Sequence, residues 1–493
     1  MNNSIWRKKP LEAYEADFKK SELKRVLSKW SLTAIGIGAI IGGGIFVLTG
    51  TAAHYHAGPA LALSFVVAGI GCIFAALCYA EFASMLPVEG SAYAYAYGTV
   101  GEIFAWLIGW GLILEYAMGA MTVAVSWSGY FTKLLHLFRI EIPFWLNNDP
   151  VSAAKFATEN NLDKPEFAMN LPAFLVVWLV TAILVKGIKE AAGANNIIVL
   201  MKTAAVLFVI IAGAFFIKTS NWDNFIPEPR QIVGEDGEPH WAYGVKGVFN
   251  GAAAIFFAYI GFDAVSTQAG EAINPRKDIP FAIITSLLVC TVLYILVSMV
   301  LTGMINYNDI VGDALKAPVA FAFDQVGQKW AVFIVTVAAT IGLLSVMLVM
   351  MLGQSRIFLG MSKDGLLPSF FRDIHPEFKT PWKSTLVIGL IVSIVASVTP
   401  IGTLSDMTSF GTLFAFAMVC GAVWLLRYRE PNLERSFKVP FLPAVAIAGI
   451  GTNLYLMYSL SEKAQLYALV WLGLGIIVYF IYGKRNSNLE KSA

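Results

Sequence analysis

Residues 33–46 read Thr-Ala-Ile-Gly-Ile-Gly-Ala-Ile-Ile-Gly-Gly-Gly-Ile-Phe, an apolar stretch that carries five glycines. Each glycine inside a helix costs up to about 1 kcal/mol relative to alanine. Close packing between helices explains two glycines four residues apart, Gly38 and Gly42. It does not explain three consecutive glycines, Gly42–Gly44, so we expect the helix to be unwound there. Backbone groups left free inside a membrane must bind a ligand or water, because lipid offers no partner.

A second interrupted stretch, residues 250–263, reads Asn-Gly-Ala-Ala-Ala-Ile-Phe-Phe-Ala-Tyr-Ile-Gly-Phe-Asp. A dinucleotide-binding glycine loop is excluded for the first stretch, since its spacing is wrong and no βαβ pattern surrounds it. Two broken helices at corresponding places predict a solute site at the membrane midplane, between inverted repeats. A half-helix N-terminus suits a carboxylate and exposed carbonyls suit an ammonium, so the pattern favours the head group of an amino acid.

The composition is that of a membrane protein. Of the 493 residues, 57% are hydrophobic and 14% are charged, whereas soluble domains carry about 25% charged residues. The four cysteines (Cys72, Cys78, Cys290 and Cys420) lie in apolar runs without a CxxC pair. We therefore expect buried thiols, no metal site and no cofactor. The spans contain no set of nucleophile and base, so an enzyme is not expected, and neither is a nucleic-acid partner.

Apolar windows long enough to cross a membrane, about 20 residues each, recur along the whole chain. They predict an all-α integral membrane protein with about 12 transmembrane helices, of which helices 1 and 6 are discontinuous. The windows are 31–54, 59–86, 103–131, 167–185, 195–217, 247–268, 281–304, 330–355, 384–399, 402–426, 442–460 and 465–482.

The distribution of positive charge predicts the orientation. With twelve spans, 24 of the 35 lysines and arginines fall on the side of the two termini, ten fall on the other side, and Lys202 lies within a span. Positive loops stay cytoplasmic, so both termini are expected inside. Residues 1–29 are polar and basic and do not resemble a signal peptide. The long loops 132–166 and 218–246 are expected outside, as short amphipathic pieces and turns.

Spans 1 and 6 begin the two halves of a five-plus-five arrangement. The N-terminal tail, residues 1–29, is expected to be either an interfacial amphipathic helix or a solvated segment. The predicted parts are a cytoplasmic tail 1–29, a first repeat 30–217 with spans 1–5, a second repeat 247–426 with spans 6–10, spans 11 and 12 in 442–482, and a cytoplasmic tail 483–493.

Four motifs in sequence order support a family resemblance. They are Ile41-Gly-Gly-Gly-Ile-Phe46; Glu81-Phe followed by Pro87-x-x-Gly-Ser-Ala-Tyr93; Gly261-Phe-Asp followed by Glu271-Ala-Ile-Asn-Pro275 and Ile279-Pro280; and Gly360-Met-Ser-Lys-Asp-Gly-Leu-Leu-Pro368. With these motifs the chain resembles the amino acid–polyamine–organocation superfamily, and within it the bacterial relatives of the cationic amino acid transporters.

The resemblance implies an inverted-repeat fold with two extra C-terminal helices. It also implies amino acid uptake across the plasma (inner) membrane, driven by an ion gradient, usually of protons. Many relatives carry Ser or Thr in place of Gly43, so this chain must rely on main-chain contacts there. The implied contacts are the amides of Gly42, Gly43 and Gly44 for the substrate carboxylate, and the carbonyls of Ile40, Phe257, Ala258 and Ile260 for its ammonium.

Further candidates come from the spans. Met118, Val125, Phe256 and Met347 are candidates for the side-chain pocket, although an ordinary core role explains them as well. An ionised side chain at the bilayer centre costs about 2.5–3.5 kcal/mol, so each one asks for a partner or a function. Lys202 in span 5 either snorkels to the interface or, as the resemblance implies, bridges spans 1, 5 and 8 where sodium-coupled relatives bind Na⁺.

Four acids complete the predictions. Glu115, in the middle of span 3, is either a structural hydrogen-bonding group or a proton relay or substrate sensor. Asp263, after the second break, is a capping or gating residue or a proton-coupling one. Glu81 and Glu271 are expected near the cytoplasmic face, where solvated loop acids are favoured over ion pairs with loop arginines.

Three functions remain open at this point. The favoured one is amino acid import by proton symport, with the amino acid, protons and membrane lipid as partners and a monomer as the working expectation. The second is an amino acid exchanger or a polyamine or organocation carrier of the same fold. A membrane enzyme or a channel ranks last, because the polar residues concentrate around two breaks and do not line a continuous path.

Overall fold

The computed structural model describes residues 6–10, 26–85, 91–187, 191–234, 239–263, 265–266 and 272–491. Seven helices among them are long and apolar enough to cross a membrane, and three shorter ones are also apolar. The structure is thus a helical membrane protein, as predicted, while the count of twelve spans stays a prediction. Most of the tail 1–29, the segment Pro87–Gly90 and Glu271 lie outside the described residues.

The helices of the first half include a 36-residue one, α5, which is longer than a membrane crossing requires. They are α1 (Lys29–Ile40), α2 (Thr49–Ala52), α3 (Leu61–Met85), α4 (Ser91–Thr99), α5 (Glu102–Leu137), α6 (Pro150–Glu159), α7 (Leu171–Lys186) and α8 (Ala191–Ala214).

The second half contains a helix of nearly the same length, α13, which packs against α5. Its helices are α9 (Gly244–Ala254), α10 (Pro275–Met304), α11 (Asp313–Lys316), α12 (Pro318–Gln325), α13 (Lys329–Lys363), α14 (Trp382–Val398), α15 (Ile401–Arg429), α16 (Leu442–Tyr458), α17 (Glu462–Val478), α18 (Lys484–Asn486) and α19 (Asn488–Lys491).

The first interruption follows α1. The helix ends at Ile40, and Ile41 adopts an extended conformation with φ −68° and ψ 105°. Helical geometry resumes with a π-helical turn, Gly44–Leu48, and continues through α2 and two further turns into α3. The run of glycines therefore interrupts the helix where the sequence predicts it.

The second interruption follows α9. A 3₁₀ turn, Ile255–Tyr259, leads to Ile260 in an extended conformation. Gly261 then has φ +119°, a conformation that side-chain-bearing residues rarely adopt. A Cβ at Gly261 would lie 2.7 Å from the carbonyl carbon of Ala39. The second break therefore packs directly against the last turn of α1.

The long loops contain one element that the sequence analysis did not predict. Strands β1 (Arg230–Val233) and β2 (Pro239–Ala242) pair antiparallel, with Arg230 opposite Ala242. A short run with valine and isoleucine on one side of a glycine-rich turn favours a hairpin, and the expectation of turns and amphipathic pieces overlooked it. The other long loop does contain such a piece, α6, whose first turn is capped by Asp149.

Described residues near both ends of the chain, Lys9 and Asn488, lie on one face of the bundle. The Lys9 Nζ lies 3.2 Å from Asp364 Oδ1, and the amide of Asn488 donates to the Asp364 carbonyl at 3.0 Å. Tyr479 and Ser487 both donate to the buried carboxylate of Glu102, at the start of α5. We call this the terminal face; the far end of α5, near α6, belongs to the opposite face.

Candidate functional site

The two breaks touch each other at the centre of the bundle. A Cβ at Gly44 would lie 2.3 Å from the Cα of Ala258, so only a glycine allows this approach. The Tyr294 hydroxyl of α10 lies 2.7 Å from the Ile40 carbonyl oxygen and 2.9 Å from the Ala258 carbonyl oxygen. One tyrosine therefore holds together two of the carbonyls that we predicted for the substrate ammonium.

The predicted carbonyls differ in what they already bind. Tyr294 has one proton to donate, whereas each carbonyl has two lone pairs, so Ile40 and Ala258 both keep the capacity to accept another hydrogen bond. The Phe257 carbonyl accepts from the amide of Ile260 at 3.1 Å. Sequence analysis missed Tyr294, because an isolated tyrosine in an apolar helix carries no local signal.

Gly42 and Gly43 face two neighbouring helices. A Cβ at Gly43 would lie 3.0 Å from Ser126 Oγ of α5, and one at Gly42 would lie 3.1 Å from a methyl carbon of Val346 in α13. The Ser126 hydroxyl donates to the Thr122 carbonyl of its own helix, which leaves its lone pairs for other donors. A hydroxyl from α5 thus lies beside Gly43.

The ring of Phe257 lies beside α5. Its Cε2 lies 3.7 Å from the Cβ position of Gly119, a position that Met350 Sδ (3.4 Å) and Thr408 Cγ2 (3.5 Å) also approach. The Phe257 amide donates to Ser409 Oγ at 3.2 Å. Gly119 of α5 and side chains of α13 and α15 therefore surround the second break.

The four predicted pocket residues occupy different environments. Phe256 packs its ring against Phe416, at a centroid distance of 5.8 Å, and also approaches Gly71 of α3. Met347 is buried, Met118 is partly buried, and Val125 lines a cavity that opens towards the opposite face. Their role in substrate selection stays a prediction.

Lys202 is 1% exposed, so the snorkelling interpretation is wrong. Its Nζ donates to the Gly38 carbonyl of α1 and, at 3.1 Å, to Ser345 Oγ of α13. Ser345 in turn donates to the Gly342 carbonyl at 2.9 Å. The methylene stem of Lys202 lies against Gly342, where a Cβ would be 2.7 Å from its Cγ. The lysine thus links α8, which carries it, with α1 and α13.

Two buried acids lie near each other on the terminal side of the breaks. Glu115 and Asp263 are each 1% exposed. Asp263 Oδ2 accepts a hydrogen bond from the Tyr116 hydroxyl at 3.0 Å, and the backbone of Glu115 packs against Gly411 of α15. The Ser266 hydroxyl donates to the Asp263 carbonyl at 2.6 Å. The fold thus brings the two predicted acids together.

Glu81 is a fully buried ion-pair partner and not a solvated loop acid, so that expectation is wrong. Its carboxylate binds the guanidinium of Arg427 through two oxygens, lies 3.2 Å from Arg435 Nε, and accepts from the Val439 amide at 2.8 Å. The arginines lie more than 340 residues away in sequence, so no local pattern reveals the cluster. Glu271 lies outside the described residues.

Within the part of the chain that the structure describes, no group of three or more His, Cys, Asp or Glu residues could hold a metal ion. The four cysteines are buried. The chemistry of the central site therefore comes from backbone groups, hydroxyls, one lysine and two acids.

A helical bundle with two interrupted helices in contact, polar at its centre and apolar at its surface, has the architecture of a multi-pass membrane protein. The chain belongs to the amino acid permease family: the family profile described as "Amino acid permease" matches residues 27–483. The resemblance seen in the motifs is confirmed.

Three relatives show how far the similarity extends. The chain is 45% identical to the methylthioribose transporter of Bacillus subtilis (strain 168), over 99% of this chain and all of that protein. It is 42% identical to the branched-chain amino acid permease BcaP of the same organism, over the full length of both. It is 38% identical to the vacuolar cationic amino acid transporter 4 of Arabidopsis thaliana, over 83% of this chain and 64% of that protein. These relatives are permeases and transporters and not enzymes.

Proposed function

We propose that this permease imports an amino acid across the plasma membrane together with a proton. The observation that carries the proposal is the position of Lys202. A buried ammonium that joins α1, α8 and α13 occupies a place where a bound cation would hold the same helices together. Loss of its proton removes the charge and weakens both hydrogen bonds, and thereby frees α1 from α13.

The amino acid would bind at the contact between the breaks. The amides of Gly42, Gly43 and Gly44 begin a half-helix, and a helix N-terminus favours a carboxylate. The substrate ammonium would take the lone pairs that Ile40 and Ala258 retain. Ser126 supports this assignment, because its hydroxyl lies beside Gly43.

We also propose that Glu115 and Asp263 take part in proton coupling. They would carry the transported proton itself or receive it in a second step along its path. They are buried near each other, and Asp263 is linked to α5 through Tyr116. Residues 30–217 and 247–426 would form the two inverted repeats, with the termini in the cytoplasm. The charge distribution supports this orientation, since 24 of 35 lysines and arginines lie on the side of the termini.

Purified protein in liposomes tests the proposal. Uptake of labelled amino acids is measured under a proton gradient alone and under a sodium gradient alone, for the wild type and for Lys202→Met. We expect accumulation by the wild type under the proton gradient and loss of that accumulation in the variant. Lys186→Met is the matched control, because Lys186 lies exposed at the end of α7 and loses the same charge. Uptake that follows sodium and ignores pH, or full accumulation by Lys202→Met, would refute proton coupling through this lysine.

A second candidate is uptake of a neutral thiosugar. The 45% identity over the entire methylthioribose transporter favours it, and so do the hydroxyls of Ser126, Thr122 and Thr408 near the breaks. Methylthioribose has neither an ammonium nor a carboxylate, so it would depend on such hydroxyls. Adding labelled methylthioribose to the panel decides between the candidates. Uptake of methylthioribose, without uptake of any labelled amino acid, would reject amino acid import.

A further inference from the structure

A cavity of about 230 Å³ opens above the breaks, towards the opposite face. This volume approaches the lower end of known ligand pockets, about 300 Å³. Val47 and Val125 are among the residues that line it. Val47 lies three residues after Gly44, and Val125 adjoins Ser126. At about 1.5 Å per residue, the floor of the cavity therefore lies about one helical turn from the amides of the first break.

One wall of the cavity belongs to the segment that starts at the first break. Val47, Thr51 and Tyr55 line it at intervals of four residues, so they share one helical face. A movement of this half-helix, which begins at Gly44, changes the shape of the cavity and of the central site together.

The polar groups of the facing wall are largely used to build that wall. Asp149 accepts hydrogen bonds from the amides of Val151 and Ser152, both at 3.0 Å. Asn170 accepts from the Ser128 hydroxyl at 2.6 Å. These bonds hold the wall in place.

Lys155 is a charged residue of the same wall. It lies on α6 and lines the cavity, half-buried, with its Nζ 3.5 Å from the Tyr55 hydroxyl and 5.8 Å from the centre of the Tyr55 ring. Among the residues that the structure describes, no carboxylate forms a salt bridge with it. Lys316 lines the same cavity and adds a second positive charge. Asp149, which caps α6, and Glu159, at its last turn, also line the cavity, so the binding of an anion depends on Lys155 and not on the net charge of the lining.

We propose that this cavity is a second, outer substrate site, in which Lys155 binds the carboxylate of the amino acid before the amino acid reaches the break. The inference rests on the proposed import of amino acids. Tyr55 connects the outer site to the half-helix, because Lys155 contacts its hydroxyl and ring. Binding of a carboxylate draws Lys155 away from Tyr55 and so releases a contact between α6 and that half-helix.

Equilibrium binding to the purified full chain tests the proposal. With labelled leucine, the wild type is expected to bind two molecules per chain, and Lys155→Met one. In liposomes Lys155→Met is expected to raise the KM for leucine about fivefold, because it removes a partly exposed ion pair with the substrate. The kcat should stay unchanged. Lys155→Arg keeps the charge and should restore both values. Added salt should weaken the outer site more than the central one, because partly exposed charges are screened.

Lys133→Met is the matched control. Lys133 lies near the end of α5 on the same face, pairs with Asp324 at 3.1 Å and does not line the cavity. It should keep the wild-type KM and two bound leucines. One bound leucine in the wild type, or an unchanged KM in Lys155→Met, would overturn the outer site while leaving amino acid import intact. Absence of uptake of every amino acid by the wild type would instead reject the proposed function.

Discussion

At the scale of single residues, the central site depends on two glycines, because a Cβ at either position would collide with the other break. Gly44 lets the first half-helix approach Ala258, and Gly261 adopts a backbone conformation that brings the second break against Ala39. The hydroxyl of Tyr294, on a third helix, lies within hydrogen-bond distance of the carbonyls of Ile40 and Ala258. The candidate site is therefore mostly backbone, and the proposed recognition is of the head group shared by all amino acids and not of a particular side chain.

Gly44→Ala should abolish most uptake. The added methyl would lie 2.3 Å from the Cα of Ala258, and a backbone atom cannot turn aside as a side chain can, so the two breaks must separate. We expect the initial rate of amino acid uptake in liposomes to fall at least about tenfold, as misplacement of a binding group by about 1 Å does. Gly451→Ala is the control, because a Cβ there meets no atom within 4 Å. A Gly44→Ala variant with wild-type uptake would show that the breaks are not tightly packed.

At the scale of elements, the loop between α15 and α16 is fastened to the end of α3. The carboxylate of Glu81 binds Arg427, Arg435 and the amide of Val439, and Arg435 further donates to loop carbonyls such as that of Leu433. A buried charge without its partner is costly, so these groups stabilise one another only as a set. The cluster orders a loop that the sequence alone would leave solvated.

Glu81→Gln should destabilise the protein by about 3–5 kcal/mol, because it leaves the buried Arg435 and the partly exposed Arg427 beside a neutral side chain. The midpoint of thermal unfolding in detergent, followed by fluorescence, measures the loss. Lys8→Met provides the comparison: it removes the exposed pair with Glu430, 3.2 Å apart, and should cost less than about 1 kcal/mol. Equal midpoints for the two variants would mean that the buried cluster contributes no more than a surface pair.

At the scale of the whole molecule, the two ends of the chain lie on one face and α6 lies on the other. Lys9 and the amide of Asn488 both bind Asp364, while α6 follows the far end of α5. The proposed orientation places the first of these faces in the cytoplasm. The four buried cysteines make this orientation easy to measure, since they leave the wild type with little reactive thiol at its surface.

Single cysteines report the orientation. We expect a membrane-impermeant maleimide to label Asp163→Cys in intact cells, because Asp163 is exposed in the loop after α6. Asn432→Cys, exposed in the loop after α15, should be labelled only after the membrane is permeabilised. The wild type, treated in parallel, sets the background. Labelling of Asn432→Cys in intact cells, with protection of Asp163→Cys, would place the termini outside.

The sequence by itself determined the membrane class, the two breaks and the need of Lys202 for a buried partner. These features are local: apolar runs of about 20 residues need lipid, three adjacent glycines interrupt a helix, and a lysine inside an apolar run needs a partner. The tertiary structure decided which partner each group has. Ser345 meets Lys202 from 143 residues away, and Arg427 meets Glu81 from 346 residues away. Such contacts depend on how distant helices pack, because a single helix specifies its own interruptions and its apolar surface but not the neighbour that covers them.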